Sequence, residues 1–304
     1  MREQCNRELF ASWCALTAAG YDLAEPTGVT VELMKGIQAL PLDAQTRTWF
    51  GQARTDSVEV NPWFPRASAL SAGCFFMDKP LDALLSFIQS TGTTMIDDAF
   101  MEWIAPYQAY IEAVEQLNGF ASLWDRYREA ILTDQVGAML KALQLKLLSY
   151  GYSIEEELIF VPNRLQSPFL ADYVYKQGEL YVICSSVNLL GIVHEYLHRA
   201  LRGFEPIWLR IATTTQSEWL LDLSKMKKYG YMLDDSPKSV AHALEDCVVR
   251  AVSALIVGEN TRTYAHDYRE AGFTFAATLM EEAAFAAPER GALLQLVNNA
   301  LKRL

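Results

Sequence analysis

The chain has 304 residues, of which 51% are hydrophobic and 21% are charged, and its formal net charge is −11. This composition is typical of a folded globular protein and excludes a disordered or fibrous chain. The acidic balance also disfavours nucleic acid and anionic membrane surfaces as partners, because both carry negative charge.

Five cysteines are spread along the chain: Cys5, Cys14, Cys74, Cys184 and Cys247. Their odd number, wide spacing and lack of a CxxC pair predict reduced, mostly buried thiols. The first residues carry acids and lack the apolar run of a signal peptide, and the most apolar stretch, 180–193, is too short to span a bilayer. We therefore expect a cytoplasmic protein.

The first half of the chain is predicted to consist of helices joined by short turns. Apolar residues recur at helical spacing in five segments: 8–19, 30–40, 81–90, 97–118 and 134–150. Glycine or proline marks an end of each segment, as is usual at helix boundaries.

The second half begins with predicted strands. Residues 157–162 form an apolar run closed by proline, and residues 172–176 and 179–184 flank Gln177-Gly178, which predicts a β-hairpin. Further helices are predicted over 188–201, 208–227, 237–257 and from 271 to the C-terminus. For 237–257, Ser236 is the expected N-cap, Pro237 suits the first turn and Gly258 ends the helix.

These elements predict a mostly helical α+β fold with a small antiparallel sheet before the helix at 188–201. A helical N-terminal region, 1–150, is expected to pack on a second region, 151–304. The two can form one continuous domain, because no linker separates them.

The strongest pattern in the chain is His194-Glu195-Tyr196-Leu197-His198, inside a predicted helix. Histidines four residues apart lie on one helix face, where both imidazoles reach a single zinc ion at about 2.0–2.1 Å. Glu195 lies beside this pair, in the position of a general base for a zinc-bound water. The alternative, two solvated or hydrogen-bonded histidines and a surface glutamate, is disfavoured because the helix is largely apolar.

The third ligand is expected from another helix. Leu201 and Phe204 stand where the extended motif HExxHxxGxxH has its glycine and third histidine. In the predicted helix 237–257, Glu245 lies near the apolar boundary, where a carboxylate needs a cation, and it is the predicted zinc ligand. Asp246 is predicted to support one of the histidines.

Other assignments of this polar strip stay open. Asp246 and Arg250 are an i,i+4 pair, so with Glu245 they can form a salt-bridge cluster without any metal. His242 and Glu218 are the remaining candidates for the third ligand. The sequence alone does not decide between Glu245 and Asp246.

His194-Glu195-x-x-His198 followed by Glu245 on a later helix resembles the gluzincin branch of zinc metallopeptidases. The resemblance covers residues 157–268 and implies a zinc ion bound by the two histidines and Glu245, with Glu195 activating water. It also implies that the strand 179–184 is a sheet edge that aligns a peptide substrate. The helical N-terminal half, which includes Leu9-Phe10-Ala11-Ser12-Trp13-Cys14-Ala15-Leu16, faintly resembles uncharacterised bacterial proteins that carry such a motif.

Two positions depart from the gluzincin pattern. Val249 stands where gluzincins often have an aspartate four residues after the ligand glutamate, so Asp246 would have to replace it. Arg199 follows the second histidine, where an uncharged residue is usual. Both departures favour an unusual or inactive member.

Zinc peptidases stabilise the oxyanion of the tetrahedral intermediate with a tyrosine, histidine or arginine donor. Tyr268 and His266 are the candidates, and Arg250 is a third. The leading expectation is therefore a cytoplasmic zinc metallopeptidase that acts on peptides or proteins. The alternatives are a non-catalytic binding or scaffold protein that keeps the zincin fold, and a helical interaction protein with a chance motif.

Overall fold

We describe the fold from a computed structural model. The residues described are 2–22, 24, 29–55, 58–59, 61–91, 96–131, 134–149, 157–167, 170–185, 189–213, 220–229, 231, 234–258 and 261–281. Within these ranges the chain is mostly helical with one small sheet, so the predicted α+β class is confirmed.

The first eight described helices of the N-terminal half contribute to one hydrophobic core, whereas Leu143 and Leu147 of the ninth belong to a second core. The helices of this half are α1 Arg7–Ala18, α2 Val29–Gln38, α3 Ala44–Gly51, α4 Phe64–Gly73, α5 Leu81–Thr91, α6 Asp98–Ile104, α7 Tyr107–Glu115, α8 Phe120–Ile131 and α9 Asp134–Ser149. Asn6, Asp43 and Asp97 precede α1, α3 and α6, and each side chain accepts a hydrogen bond from a backbone N–H of the first turn. Such caps supply partners to donors that the helix itself leaves free.

Four strands form a mixed sheet in the order β1-β2-β4-β3. They are β1 Arg2–Glu3, β2 Glu157–Pro162, β3 Ala171–Lys176 and β4 Glu179–Cys184. The predicted hairpin β3–β4 is antiparallel, but β2 is parallel to both β4 and β1. The sheet is therefore not purely antiparallel, and the expectation that 179–184 is an edge strand is wrong: β4 is central and β3 is the edge.

The sheet separates two hydrophobic cores, because successive side chains of a strand point to opposite faces. In β2, Ile159 and Val161 join the core formed with the N-terminal helices, whereas Leu158 and Phe160 join the core formed with the C-terminal helices. We call these the N-terminal core and the C-terminal core.

The C-terminal helices position His194 and His198 against Glu245 and Asp246. They are α10 Leu189–Leu201, α11 Glu205–Ala212, α12 Leu223–Tyr229, α13 Pro237–Val257, α14 Thr261–Glu270 and α15 Thr274–Glu281, with a short 3₁₀ turn at Arg202–Phe204. In α13 the Ser236 side chain accepts from the backbone N–H of Ser239 at 3.2 Å, and Gly258 ends the helix with φ of 79°. The predicted caps of α13 are confirmed.

Two predicted helices are broken. The segment 97–118 forms α6 and α7 with Pro106 between them, because proline has no N–H to donate to the preceding turn. The segment 208–227 contains the end of α11 and most of α12. Helix α11 ends at Ala212, and α12 begins directly after Asp222, whose side chain accepts a hydrogen bond from the backbone N–H of Lys225 at 3.1 Å.

Several elements lay outside the predictions: β1, α3, α4, α8 and α14. Of the predicted C-terminal helix, the structure describes only α15, because residues 282–304 lie outside the described residues. The ligand candidate Glu218 also lies outside them. No described helix is both long enough and apolar enough to cross a membrane.

Candidate metal centre

Helix α10 holds His194 and His198 one turn apart, on the side that packs against α13. Their Nε2 atoms lie 3.1 Å apart, and the two rings are nearly perpendicular at 76°. The i,i+4 spacing therefore brings both imidazoles to one point, as the sequence predicts.

Asp246 of α13 completes a triangle with the two histidines. Its Oδ1 atom is 3.1 Å from Nε2 of His194 and 3.4 Å from Nε2 of His198. This buried oxygen makes no hydrogen bond of acceptable geometry. A tetrahedral zinc with bonds near 2.05 Å separates its ligands by about 3.3 Å, so the three atoms match three corners of such a site.

Glu245 lies on the opposite edge of the His198 ring. Its Oε1 atom is 3.0 Å from Nδ1 of His198, the nitrogen that faces away from His194 and Asp246. A carboxylate on the second ring nitrogen is the usual way in which a metal-binding histidine is oriented. The structure brings both predicted acids to the histidines, with Asp246 facing the paired Nε2 atoms and Glu245 supporting one ring.

A second group of described residues is also compatible with a cation. The possible ligand atoms of His198, His242 and Glu245 all lie within 4.8 Å of one another. This group is looser than the first, and it uses the Nδ1 side of His198. The His242 ring stacks on His198 with centroids 5.5 Å apart, and Tyr173 of β3 stacks on the same histidine at 6.2 Å.

The histidines and Asp246 perturb one another strongly. Desolvation lowers the pKa of His194 to about 4, even though Asp246 opposes it. Desolvation also lowers the pKa of His198, but the nearby carboxylates of Asp246 and Glu245 outweigh it and raise the value to about 10. Burial raises the pKa of Asp246, yet Arg250 and the histidines outweigh burial and hold the pKa well below its usual range. An ionised aspartate next to a protonated histidine is a site that can exchange a proton for a cation.

Glu195 is buried next to the triangle, with Oε1 3.9 Å from Nε2 of His194. Burial raises the pKa of its carboxyl to about 8, and the charge of His198 opposes this only in part. A divalent cation at the histidines would lower this pKa, because it favours the ionised form. The carboxyl therefore lies where the predicted general base has to be.

Three cavities share His198 and His242 in their linings, and two of them also reach Glu195 or His194. The smaller of these two, about 60 Å³, is also lined by Glu195 and Asp172, and it is large enough for water, which needs about 10–15 Å³. The larger, about 650 Å³, is also lined by His194 and falls in the range of about 300–1,000 Å³ that is typical of ligand pockets.

The walls of the larger cavity are mainly aromatic and apolar. Four tyrosines contribute to them: Tyr229, Tyr231, Tyr264 and Tyr268. Of the predicted oxyanion donors, Tyr268 and Arg250 line this cavity, whereas His266 is exposed on α14 and lines none of the cavities described here. The structure therefore brings Tyr268 towards the site and leaves His266 on the surface.

The sequence offered His242 only as an alternative ligand and gave no sign of a role for Tyr173 or Asp172 beyond their strand. His242 lies three residues before Glu245 on α13, a spacing that places it on the same side of the helix and that the sequence does display. Tyr173 and Asp172 come from the edge strand β3, and their approach to α10 depends on tertiary packing alone.

The two departures from the gluzincin pattern have structural explanations. Val249 is fully buried in the C-terminal core, and the histidine support expected from an aspartate there is supplied to His198 by Glu245. The guanidinium of Arg199 stacks on Tyr175 of β3, with 4.1 Å from Cζ to the ring centroid. The charge of Arg199 thus lies against the sheet edge.

No known protein family, curated protein or solved structure matches this chain. The geometry of the described residues therefore carries the functional argument alone.

Proposed function

We propose that this protein is a zinc-dependent metallopeptidase whose metal is held by His194, His198 and Asp246. The observation that supports this most directly is the triangle of Nε2, Nε2 and Oδ1 atoms, with sides of 3.1, 3.1 and 3.4 Å. Asp246 is preferred to the predicted Glu245 because its buried Oδ1 lacks a hydrogen bond, while Glu245 already pairs with Nδ1 of His198. A buried carboxylate oxygen that faces two ring nitrogens without a well-formed hydrogen bond is stabilised by a cation between them.

Zinc bound here would bring the pKa of a water molecule to about 7 and polarise a substrate carbonyl. Glu195 is the general base of this proposal: it takes the proton from the attacking water and returns it to the leaving amine. The small cavity beside Glu195 has room for the water. Glu245 orients His198 through Nδ1.

The larger cavity is the proposed binding site for the peptide or protein substrate. His194 and Asp246 line it, so a carbonyl group placed in it reaches the proposed metal position. Tyr268 and His242 line the same cavity and are the proposed donors to the oxyanion. A cytoplasmic location is proposed from the five free thiols, of which four are buried.

The proposal is tested by comparing the wild type with Glu195→Gln. We expect about one zinc per chain in both proteins, measured by elemental analysis after dialysis. We expect cleavage of a peptide library by the wild type alone, followed by mass spectrometry, because glutamine cannot accept the proton.

Two outcomes contradict the peptidase proposal. If the wild type retains no stoichiometric zinc, the motif is a chance pattern. If zinc is bound but no peptide is cleaved, the protein is a non-catalytic metal-binding protein, which is the binding or scaffold alternative given in the sequence analysis.

A further inference from the structure

Arg250 is a cation held in a cage of one carboxylate and three aromatic rings. Its Nε donates a hydrogen bond to Oδ2 of Asp246 at 3.0 Å. Its Cζ lies 4.0 Å from the ring centroid of Phe273 and 5.0 Å from those of Tyr231 and Tyr268. The side chain is 15% exposed, so solvent screens these interactions little.

The cage fixes the direction of the Asp246 carboxylate. Oδ2 is bound to Arg250, while Oδ1 faces the Nε2 atoms of His194 and His198. A carboxylate that is held through one oxygen has only the other oxygen free for a metal. The fixed planar guanidinium therefore selects a one-oxygen contact and its angle.

The three rings come from segments outside α13. Tyr231 precedes α13, Tyr268 belongs to α14, and Phe273 lies in the turn between α14 and α15. This turn is tight, because Gly272 has φ of 98° and a Cβ added there would lie 2.6 Å from the carbonyl oxygen of Asp222. The place of the rings, and therefore of Arg250, depends on how α14 and α15 pack on α13.

We propose that Arg250 is a positioning residue that couples the packing of α14 and α15 to the metal affinity of Asp246. The inference rests on the proposed function, since it requires a metal at His194, His198 and Asp246. The coupling acts in both directions: a bound cation stabilises the α14–α15 hairpin, and loosening that hairpin weakens the metal site. A direct role of Arg250 as oxyanion donor is a poorer fit, because rings and a carboxylate already occupy its surroundings.

The test measures zinc affinity of the full-length chain by competition with a chelator, and the absorption spectrum of the cobalt-substituted protein. The spectrum reports ligand geometry, which a change in stability alone does not alter. We expect Arg250→Lys to weaken zinc binding by about 10–100-fold and to change the cobalt spectrum, because lysine lacks the planar donor group. Phe273→Leu, which keeps an apolar side chain but removes the ring, should shift both readouts in the same direction.

Two control variants separate positioning from general destabilisation. Tyr231→Phe keeps the ring and should leave the zinc affinity unchanged. Leu16→Ala truncates a fully buried side chain of the N-terminal core, away from α13, α14 and α15. It should lower the thermal midpoint while the zinc affinity and the metal-bound spectrum stay those of the wild type.

The outcomes distinguish this inference from the proposed function. If the wild type binds no zinc, the proposed function and this inference both fail. If the wild type binds zinc and Arg250→Lys binds it equally well, only the inference is overturned. If Arg250→Lys does not fold, Phe273→Leu decides: an unchanged affinity and spectrum, or an effect no larger than that of Leu16→Ala, overturns the coupling.

Discussion

The two hydrophobic cores differ in what they bury besides apolar side chains. The N-terminal core is rich in aromatic contacts, such as Phe10 on Tyr127 at 4.4 Å and Trp49 on Tyr110 at 4.5 Å. Among the described residues, every carboxylate or imidazole that is classed as buried lies on α10 or α13, beside the C-terminal core: Glu195, His198, Glu245 and Asp246.

This difference separates stability from chemistry. Burying ionisable groups costs free energy, and a core that served stability alone would be more stable with apolar residues in their place. The N-terminal core has that composition. The C-terminal core keeps ionisable groups where three cavities share His198 and His242, and buried ionisable groups beside cavities are typical of ligand sites.

The largest expected effect is the loss of zinc when a proposed ligand is removed. His198→Ala and Asp246→Ala should each abolish stoichiometric zinc and peptide cleavage, because two remaining ligands do not hold a catalytic zinc. Elemental analysis after dialysis measures this. His266→Ala is the matched control: this histidine is exposed and lies away from the site, so the variant protein should retain its zinc. Retention of zinc by Asp246→Ala together with its loss in Glu245→Ala would restore Glu245 as the third ligand.

A matched pair of core truncations sharpens the comparison. Leu16 and Leu244 are both fully buried, one in each core. Leu16→Ala and Leu244→Ala should each lower the free energy of unfolding by about 2–5 kcal/mol, measured in urea with a chelator present. Only Leu244→Ala, next to Glu245 and Asp246 in α13, should also weaken zinc binding. An equal loss of affinity in Leu16→Ala would show that the two cores are not separate in function.

The support of His198 by Glu245 is expected to have a smaller effect. Glu245→Gln should weaken zinc binding by about 10-fold, at the low end of the 10–100-fold range, because the amide oxygen still accepts from Nδ1. Glu245→Ala removes the acceptor and should weaken zinc binding by about 100-fold, the upper end of that range. Chelator competition measures both affinities, and equal affinities in these variants and the wild type would exclude an orienting role.

The smallest effect concerns Asp172, which accepts a hydrogen bond from Ser68 and whose pKa is raised by desolvation from 3.8 to about 6. Because the folded state binds this proton more tightly, the contribution to stability is full below pH 3.8 and is lost as the pH rises to about 6. Asp172→Asn should remove this slope and make the metal-free protein more stable than the wild type at pH 7. Urea unfolding at several pH values measures it, and parallel curves for both proteins would contradict the assignment.

Local sequence patterns were sufficient for much of the fold. Periodicity and caps predicted α13, and the Gln177-Gly178 turn predicted the hairpin, because hydrogen bonds within one segment determine these elements. Pro106 and Asp222 are residue types that often mark helix ends, but the apolar periodicity continued past both of them and predicted unbroken helices. The parallel pairing of β2 with β4 joins strands that are distant in sequence, and no local pattern encodes it.

By itself, the sequence determined the helix that carries His194, Glu195 and His198, since a spacing of four residues fixes both imidazoles on one face. The sequence did not determine which of Glu245 and Asp246 faces the paired nitrogens. Adjacent residues on a helix point about 100° apart, and both of these side chains lie on the buried side of α13. Only the packing of α13 against α10 turned Oδ1 of Asp246 towards the paired nitrogens and placed Glu245 behind His198, because that contact depends on the relative rotation of two helices.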